Sequence, residues 1–247
     1  MLKLAHACRL PALRFPAEAG RAIRRIGAML TAAAVMLAPG IAGALEIRLK
    51  GGSEAGMTVV DLAGRIERGD AVRVQTFLEQ LPRTQPIAVE MHSGGGLIDE
   101  ALSMGRYFHA QGIRTYVKGE GRHCLSACAL AFLAGRDLLS RATFRVKGAQ
   151  AKIGFHGFRR NIADKEFTVA DMHQAIADTQ KVMLLITDYL GEISADIEFL
   201  SMMLEAPNTA MTYMSNEKAV TIGVHVLNET TGELLTPRPT ARAGREK

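Results

Sequence analysis

"PIAVEMHSGGGLIDEALSMGRYFHAQGIRTYV", residues 86–117, sets the architecture of this chain. "PIAVEMH" is an apolar run of strand length that stops at a glycine cluster, which reads as a buried strand followed by a turn. "LIDEALSMGRYFHAQG" then repeats its apolar positions at helical spacing and closes at Gly112, the residue type that ends helices in the left-handed conformation. "IRTYV" is a second strand. A strand, a crossover helix and a strand in succession predict parallel pairing through a right-handed connection, and so an α/β layer.

The same alternation extends in both directions. Upstream, "EIRLK" and "MTVVDLAG" predict strands, and "GDAVRVQTFLEQL" predicts a helix with apolar positions at Val72, Val74, Phe77 and Leu78. Downstream come a loop, "KGEGRH", a short apolar helix, "CLSACALAFLAG", ending at Gly135, and a strand, "AKIGFHGF". Residues 168–205 read as two helices separated by Gly191, the second capped by Ser194, with an aliphatic and methionine stripe suited to the core or to a subunit contact. "SNEKAVTIGV" predicts a last short helix, capped by Ser215, that runs into a strand. Residues 229–247 combine proline, glycine, threonine and charge without period and are expected to be disordered. No internal repeat is present.

The head of the chain differs in kind. Residues 1–44 carry Lys3, Arg9, Arg14, Arg21, Arg24 and Arg25 against the single acid Glu18, then the apolar run "IGAMLTAAAVMLAPGIAGA" and a small-x-small site at Ala42-Gly43-Ala44. That pattern predicts a signal peptide, with export to a bacterial-type periplasm. An uncleaved membrane anchor is the alternative, since the run approaches the roughly 20 residues a span needs; Pro39 and its glycines weaken it. The whole chain has 30 basic and 25 acidic residues, and without the head 24 of each remain. This removes the electrostatic case for nucleic-acid binding. Cys8 leaves with the head, and Cys124 and Cys128 form an even pair in an oxidising compartment. They read as a disulfide if Cys124 still lies in the loop, as two reduced buried thiols if both share one helix, or, least readily, as a metal site with His123 that lacks a fourth ligand.

"HSGGG", "HCLSAC" and "FHG" each follow or close a predicted strand, so the sheet can gather them at one edge, where α/β folds place their ligands. Acyl transfer by a serine needs a hydroxyl, a base and main-chain donors for the oxyanion. Ser126 at a helix start, His156 at a strand end and the glycine run offer one of each. Each also has an ordinary structural explanation: a helix cap, a buried histidine, a turn. The chain has no G-x-S-x-G nucleophile elbow.

The order of "VEMHSGGGLIDEALSMGRYF", "GEGRHCLSACALAFLAG" and "AKIGFHGF" resembles the Clp protease proteolytic subunit and its exported relatives in the ClpP/crotonase superfamily, over roughly residues 57–228 and most specifically 88–157. The resemblance implies an α/β spiral of ββα units with a mostly parallel sheet and an added helical segment, occupying residues 45–228. It also implies self-association and hydrolysis of peptide bonds in extended peptide or protein substrates without a cofactor. By position it makes Ser126 the nucleophile, His156 the general base, and Gly95 with the Ala127 amide the oxyanion hole, Gly96 being the second glycine of the turn. Two departures stand out. Gly94 replaces the proline of the family's "NSPGG", and Met211 stands where the family places its aspartate, with Asn208 the nearest polar residue. The departure at Met211 favours an alternative reading, a catalytically inactive binding or assembly protein. A further alternative is the serine–lysine pairing of the signal peptide peptidase type, for which Lys181 is the candidate base. The acyl-coenzyme A chemistry of the crotonase branch is disfavoured by the export signal.

Overall fold

The structure is a computed structural model that describes residues 45–50, 56–157, 168–207 and 210–237. Along the chain come β1 (Glu46–Leu49), β2 (Thr58–Ala63), α1 (Asp70–Glu79), β3 (Ile87–His92), α2 (Ile98–Gln111) and β4 (Arg114–Val117). The chain continues through β5 (His123–Leu125), α3 (Ala127–Phe132), β6 (Arg145–Gly148), β7 (Lys152–Phe155) and α4 (Val169–Glu192). It ends with α5 (Glu198–Glu205), β8 (Thr212–Tyr213), α6 (Asn216–Thr221), β9 (His225–Leu227) and β10 (Leu234–Leu235).

Strands β2, β3, β4, β6 and β9 lie side by side and parallel, and β1 and β10 close the two edges antiparallel. The fold is therefore α/β with a mixed, mostly parallel central sheet. β3 buries five of its six residues, as a strand covered on both faces must. A second, smaller sheet holds β5 parallel to β7 and β7 antiparallel to β8. The two sheets are stitched where the chain leaves β3: Ser93 bridges Cys124, Ser93 N–H donates to His123 O at 2.9 Å, and Leu125 N–H donates to Ser93 O at 3.0 Å.

Helix α2 turns Ala101, Leu102, Met104 and Phe108 inward and ends on Gly112 at φ 64, the left-handed stop its sequence calls for. It packs on α3, all six of whose residues are buried. The small side chains of α3 admit that close approach. The Tyr189 hydroxyl of α4 crosses both helices: it donates to Leu130 O at 2.8 Å, and a methyl on Gly105 would lie 1.8 Å from it.

Four sequence expectations need correction. The predicted helix from Cys124 begins only at Ala127, because His123–Leu125 pair with β7 as a strand. β6 escapes a hydropathy reading because it buries charged residues. Arg145 donates to the carbonyl oxygens of Leu133 and Gly223, and Lys147 donates to Gly148 O, Ala149 O and Asn216 Oδ1. Gly191 lies inside α4, and Ser194 does not cap α5, whose first turn follows Ile197 without a side-chain cap. The tail contributes β10, paired with β9; residues 238–247 lie outside the described residues. Ser215 does cap α6, accepting from Lys218 N–H at 3.1 Å.

Candidate active site

Three loops meet where the sheets are stitched. Ser126 follows β5 directly, and its N–H donates to Gly154 O of β7 at 2.9 Å. The β5–β7 register pairs Leu125 with Gly154, so Ser126 and His156 leave the same end of neighbouring strands; among the described residues no hydrogen bond joins the Ser126 hydroxyl to the His156 ring, whose Nδ1 turns to Gly157 O. Gly95 abuts the same point. A methyl there would lie 2.7 Å from Leu125 O, 2.9 Å from Ser126 Cβ and 3.2 Å from Ala127 N, and its φ is 98. Only glycine tolerates both constraints. Gly96 is as tightly placed, since a methyl there would lie 2.0 Å from Ile66 O, while Gly94 faces open space.

Ser126 is not an ordinary helix cap. It precedes α3 but makes no side-chain capping hydrogen bond, and its backbone stands at φ 55, ψ −125. These angles belong to the first central position of a type II′ turn, where glycine is the usual residue. A half-buried serine with a Cβ held there is strained, a condition that concentrates at functional sites. The local geometry is that of a strand–turn–helix elbow reached without the G-x-S-x-G motif.

His156 Nδ1 lies 2.6 Å from Gly157 O. A carbonyl oxygen can only accept, so this contact calls for the proton on Nδ1, and in the neutral ring with that tautomer the lone pair is on Nε2. A base toward a hydroxyl needs that tautomer. The main-chain oxygen thus occupies the hydrogen-bonding role that an acid side chain has in a serine triad. Met211 packs over Gly154 instead: a methyl on Gly154 would meet its Cγ at 2.8 Å and its Sδ at 3.0 Å. Asn208 lies outside the described residues. Lys181, the candidate base of the serine–lysine alternative, is exposed on α4.

The two amides expected to receive an oxyanion differ. Among the described residues the Ala127 N–H has no acceptor, as befits the first residue of a helix. The Gly95 N–H donates to the buried Ser93 Oγ at 3.0 Å, so an oxyanion would share that donor with Ser93. The role of Ser93 was not legible in the sequence.

Cys124 and Cys128 form a disulfide with Cα atoms 5.2 Å apart. Cys124 sits in a strand rather than in the expected loop, and because it is off the helix of Cys128 the two side chains can meet. Among the described residues no cluster of three or more His, Cys, Asp or Glu side chains is arranged for a metal ion, and His123 instead stands edge-on to His92 with ring centroids 4.3 Å apart. His92 Nδ1 accepts the His123 N–H at 3.2 Å. Burial, then the proximity of His123 and Arg122, holds His92 below the ordinary imidazole value. Arg122 pairs with Asp61 at 3.0 Å on the neighbouring β2.

The chain matches no protein-family model and no curated protein.

Proposed function

We propose that the protein is an exported serine hydrolase of Clp type that cleaves peptide bonds, with Ser126 as nucleophile and His156 as general base. The observation that carries the reading is the backbone of Ser126, held at φ 55 with its hydroxyl out of the helix cap and its N–H tied to β7 beside His156. In the proposed reaction Nε2 takes the Oγ proton as Oγ attacks the substrate carbonyl. The Ala127 N–H, with a shared Gly95 N–H, receives the oxyanion, and the imidazolium returns its proton to the leaving amine. Water then repeats the sequence on the acyl-enzyme. Gly157 O orients the ring but brings a dipole rather than a full negative charge. Because loss of the acid's contribution costs a triad up to about 10⁴ in turnover, slow turnover is expected. No cofactor enters these steps.

A serine-directed fluorophosphonate tests the reading. Stoichiometric labelling that disappears in Ser126→Ala and in His156→Ala is expected; folded protein that takes up no probe would refute it. A second reading, an inactive binding or assembly protein, is favoured by Met211 lying over Gly154 where an acid would complete the triad, and that refuting outcome is the one it expects.

Self-association belongs to the same proposal. Only Ile186, Tyr189 and Leu190 of α4 are buried, whereas Val169, Met172, Ile176 and Leu184 fall on one side of it at helical spacing and are exposed. Light scattering is expected to give a mass above one chain, reduced by Met172→Lys with Ile176→Lys. Among the described residues no helix is long and apolar enough to cross a membrane; export rests on residues 1–44, which lie outside the described set.

A further inference from the structure

The two cysteines bracket Ser126 two residues to either side, and both are 0% exposed. Cys124 is fixed within β5 by its pairing with Ile153 and its bridge to Ser93. Cys128 is fixed within α3, in the core. Four residues of continued strand would span about 13 Å, and residues four apart on a regular helix lie about 6 Å apart. The observed Cα separation of 5.2 Å is shorter than either, although Leu125 is still part of the ladder. The chain meets this separation by reversing direction inside the bracket, and the reversal falls on Ser126 at φ 55, ψ −125. The hydrogen bond to Gly154 O restrains the Ser126 nitrogen, and the Ala129 N–H, donating to Ser126 O at 2.9 Å, ties its carbonyl to the first turn of α3; the disulfide adds a covalent restraint across both.

We infer that the Cys124–Cys128 disulfide is a staple that positions the nucleophile, closing the elbow and keeping the Ser126 hydroxyl out of the α3 cap. Without the link the segment relaxes toward an ordinary strand-to-helix junction, in which a serine takes negative φ and accepts a hydrogen bond from the first helical turn. Cys124 and Cys128 are then positioning residues, acting through Ser126. The inference rests on Ser126 being the nucleophile, and it makes competence conditional on oxidation. The two thiols pass two electrons and two protons to a disulfide oxidant, which leaves as two thiols while the Sγ–Sγ bond forms.

The test uses the full chain carrying Cys8→Ser, so that redox chemistry is confined to the pair. Fluorophosphonate labelling rates are compared for protein folded in dithiothreitol, the same protein after oxidation by glutathione disulfide, and Cys124→Ala with Cys128→Ala. Labelling about tenfold slower or more without the link, restored by oxidation and with an unchanged far-ultraviolet spectrum, is expected. Equal rates with and without the link overturn the staple and leave the nucleophile standing. If the oxidised protein takes no label at all, the nucleophile reading falls, and the staple is judged by melting temperature alone. Ser126→Gly is expected to raise it in the linked protein and not in the unlinked one; an equal rise in both overturns the staple. Should the alanine pair fail to fold, the reduced and reoxidised preparations carry the same comparisons.

Discussion

Replacing Ser126 by glycine is expected to stabilise the protein while abolishing its reactivity. At φ 55, ψ −125 a residue with a Cβ stores about 1–3 kcal/mol of backbone strain. Glycine releases that strain, offset by about 0.5–1 kcal/mol for the greater freedom of the unfolded chain. Alanine is the proper reference. It keeps the Cβ and the strain, and it removes a hydroxyl that makes no capping bond, so Ser126→Ala is expected within about 0.5 kcal/mol of the parent. Ser126→Gly should then exceed Ser126→Ala by about 1 kcal/mol, a rise in melting temperature of about 2–4 °C for a chain of this size. Differential scanning calorimetry on the oxidised protein measures it, with fluorophosphonate labelling run in parallel. A glycine variant that melts below the alanine variant would show that Ser126 carries no strain, and the elbow argument would fail.

Gly95→Ala places a methyl 2.7 Å from Leu125 O, against backbone, at φ 98; a loss of about 2 kcal/mol or more is expected, together with loss of labelling, and an alanine variant that labels at the parent rate would refute the packing of Gly95 against the elbow. Arg145→Ala strips the buried acceptor Leu133 O and the partly buried Gly223 O of their donor. Urea denaturation should show a loss of about 3 kcal/mol or more, because each orphaned buried acceptor costs about 1–3 kcal/mol. His92, His109 and His225 are each held below the ordinary imidazole value chiefly by burial, so as pH falls below about 6.5 the unfolded chain takes up protons before the folded one. Stability should be highest above that pH and decline toward pH 5, read as a falling melting temperature; a rise over the same interval would contradict the burial of these rings.

Much of the frame is legible because it is local. The run Ile87–His92, the apolar spacing of Ile98–Gln111 and the stop at Gly112 are each encoded by near neighbours, and the structure matches them within a residue or two. Gathering "HSGGG", "HCLSAC" and "FHG" at one edge followed from strand alternation alone. What escaped was short or charged. His123–Leu125 is too brief to display a period of two, so its apolar neighbours made it look like the start of a helix. Arg145–Gly148 carries two cations whose burial depends on acceptors brought from elsewhere in the chain, the carbonyl oxygens of Leu133 and Gly223 for Arg145 and Asn216 Oδ1 for Lys147.

The sequence by itself determined the α/β alternation, the composition of the head, and the identity and order of the serine, the histidine and the glycine run, since residue type and local period need no partner. Tertiary structure alone decided that Cys124 lies on a strand and can reach Cys128, that Ser126 stands in a glycine conformation, that His156 Nδ1 lies against Gly157 O and that Ser93 Oγ accepts from the Gly95 amide. Each of those depends on a backbone angle or on a partner brought near by strand pairing, and neither is written in the spacing of residues along one segment.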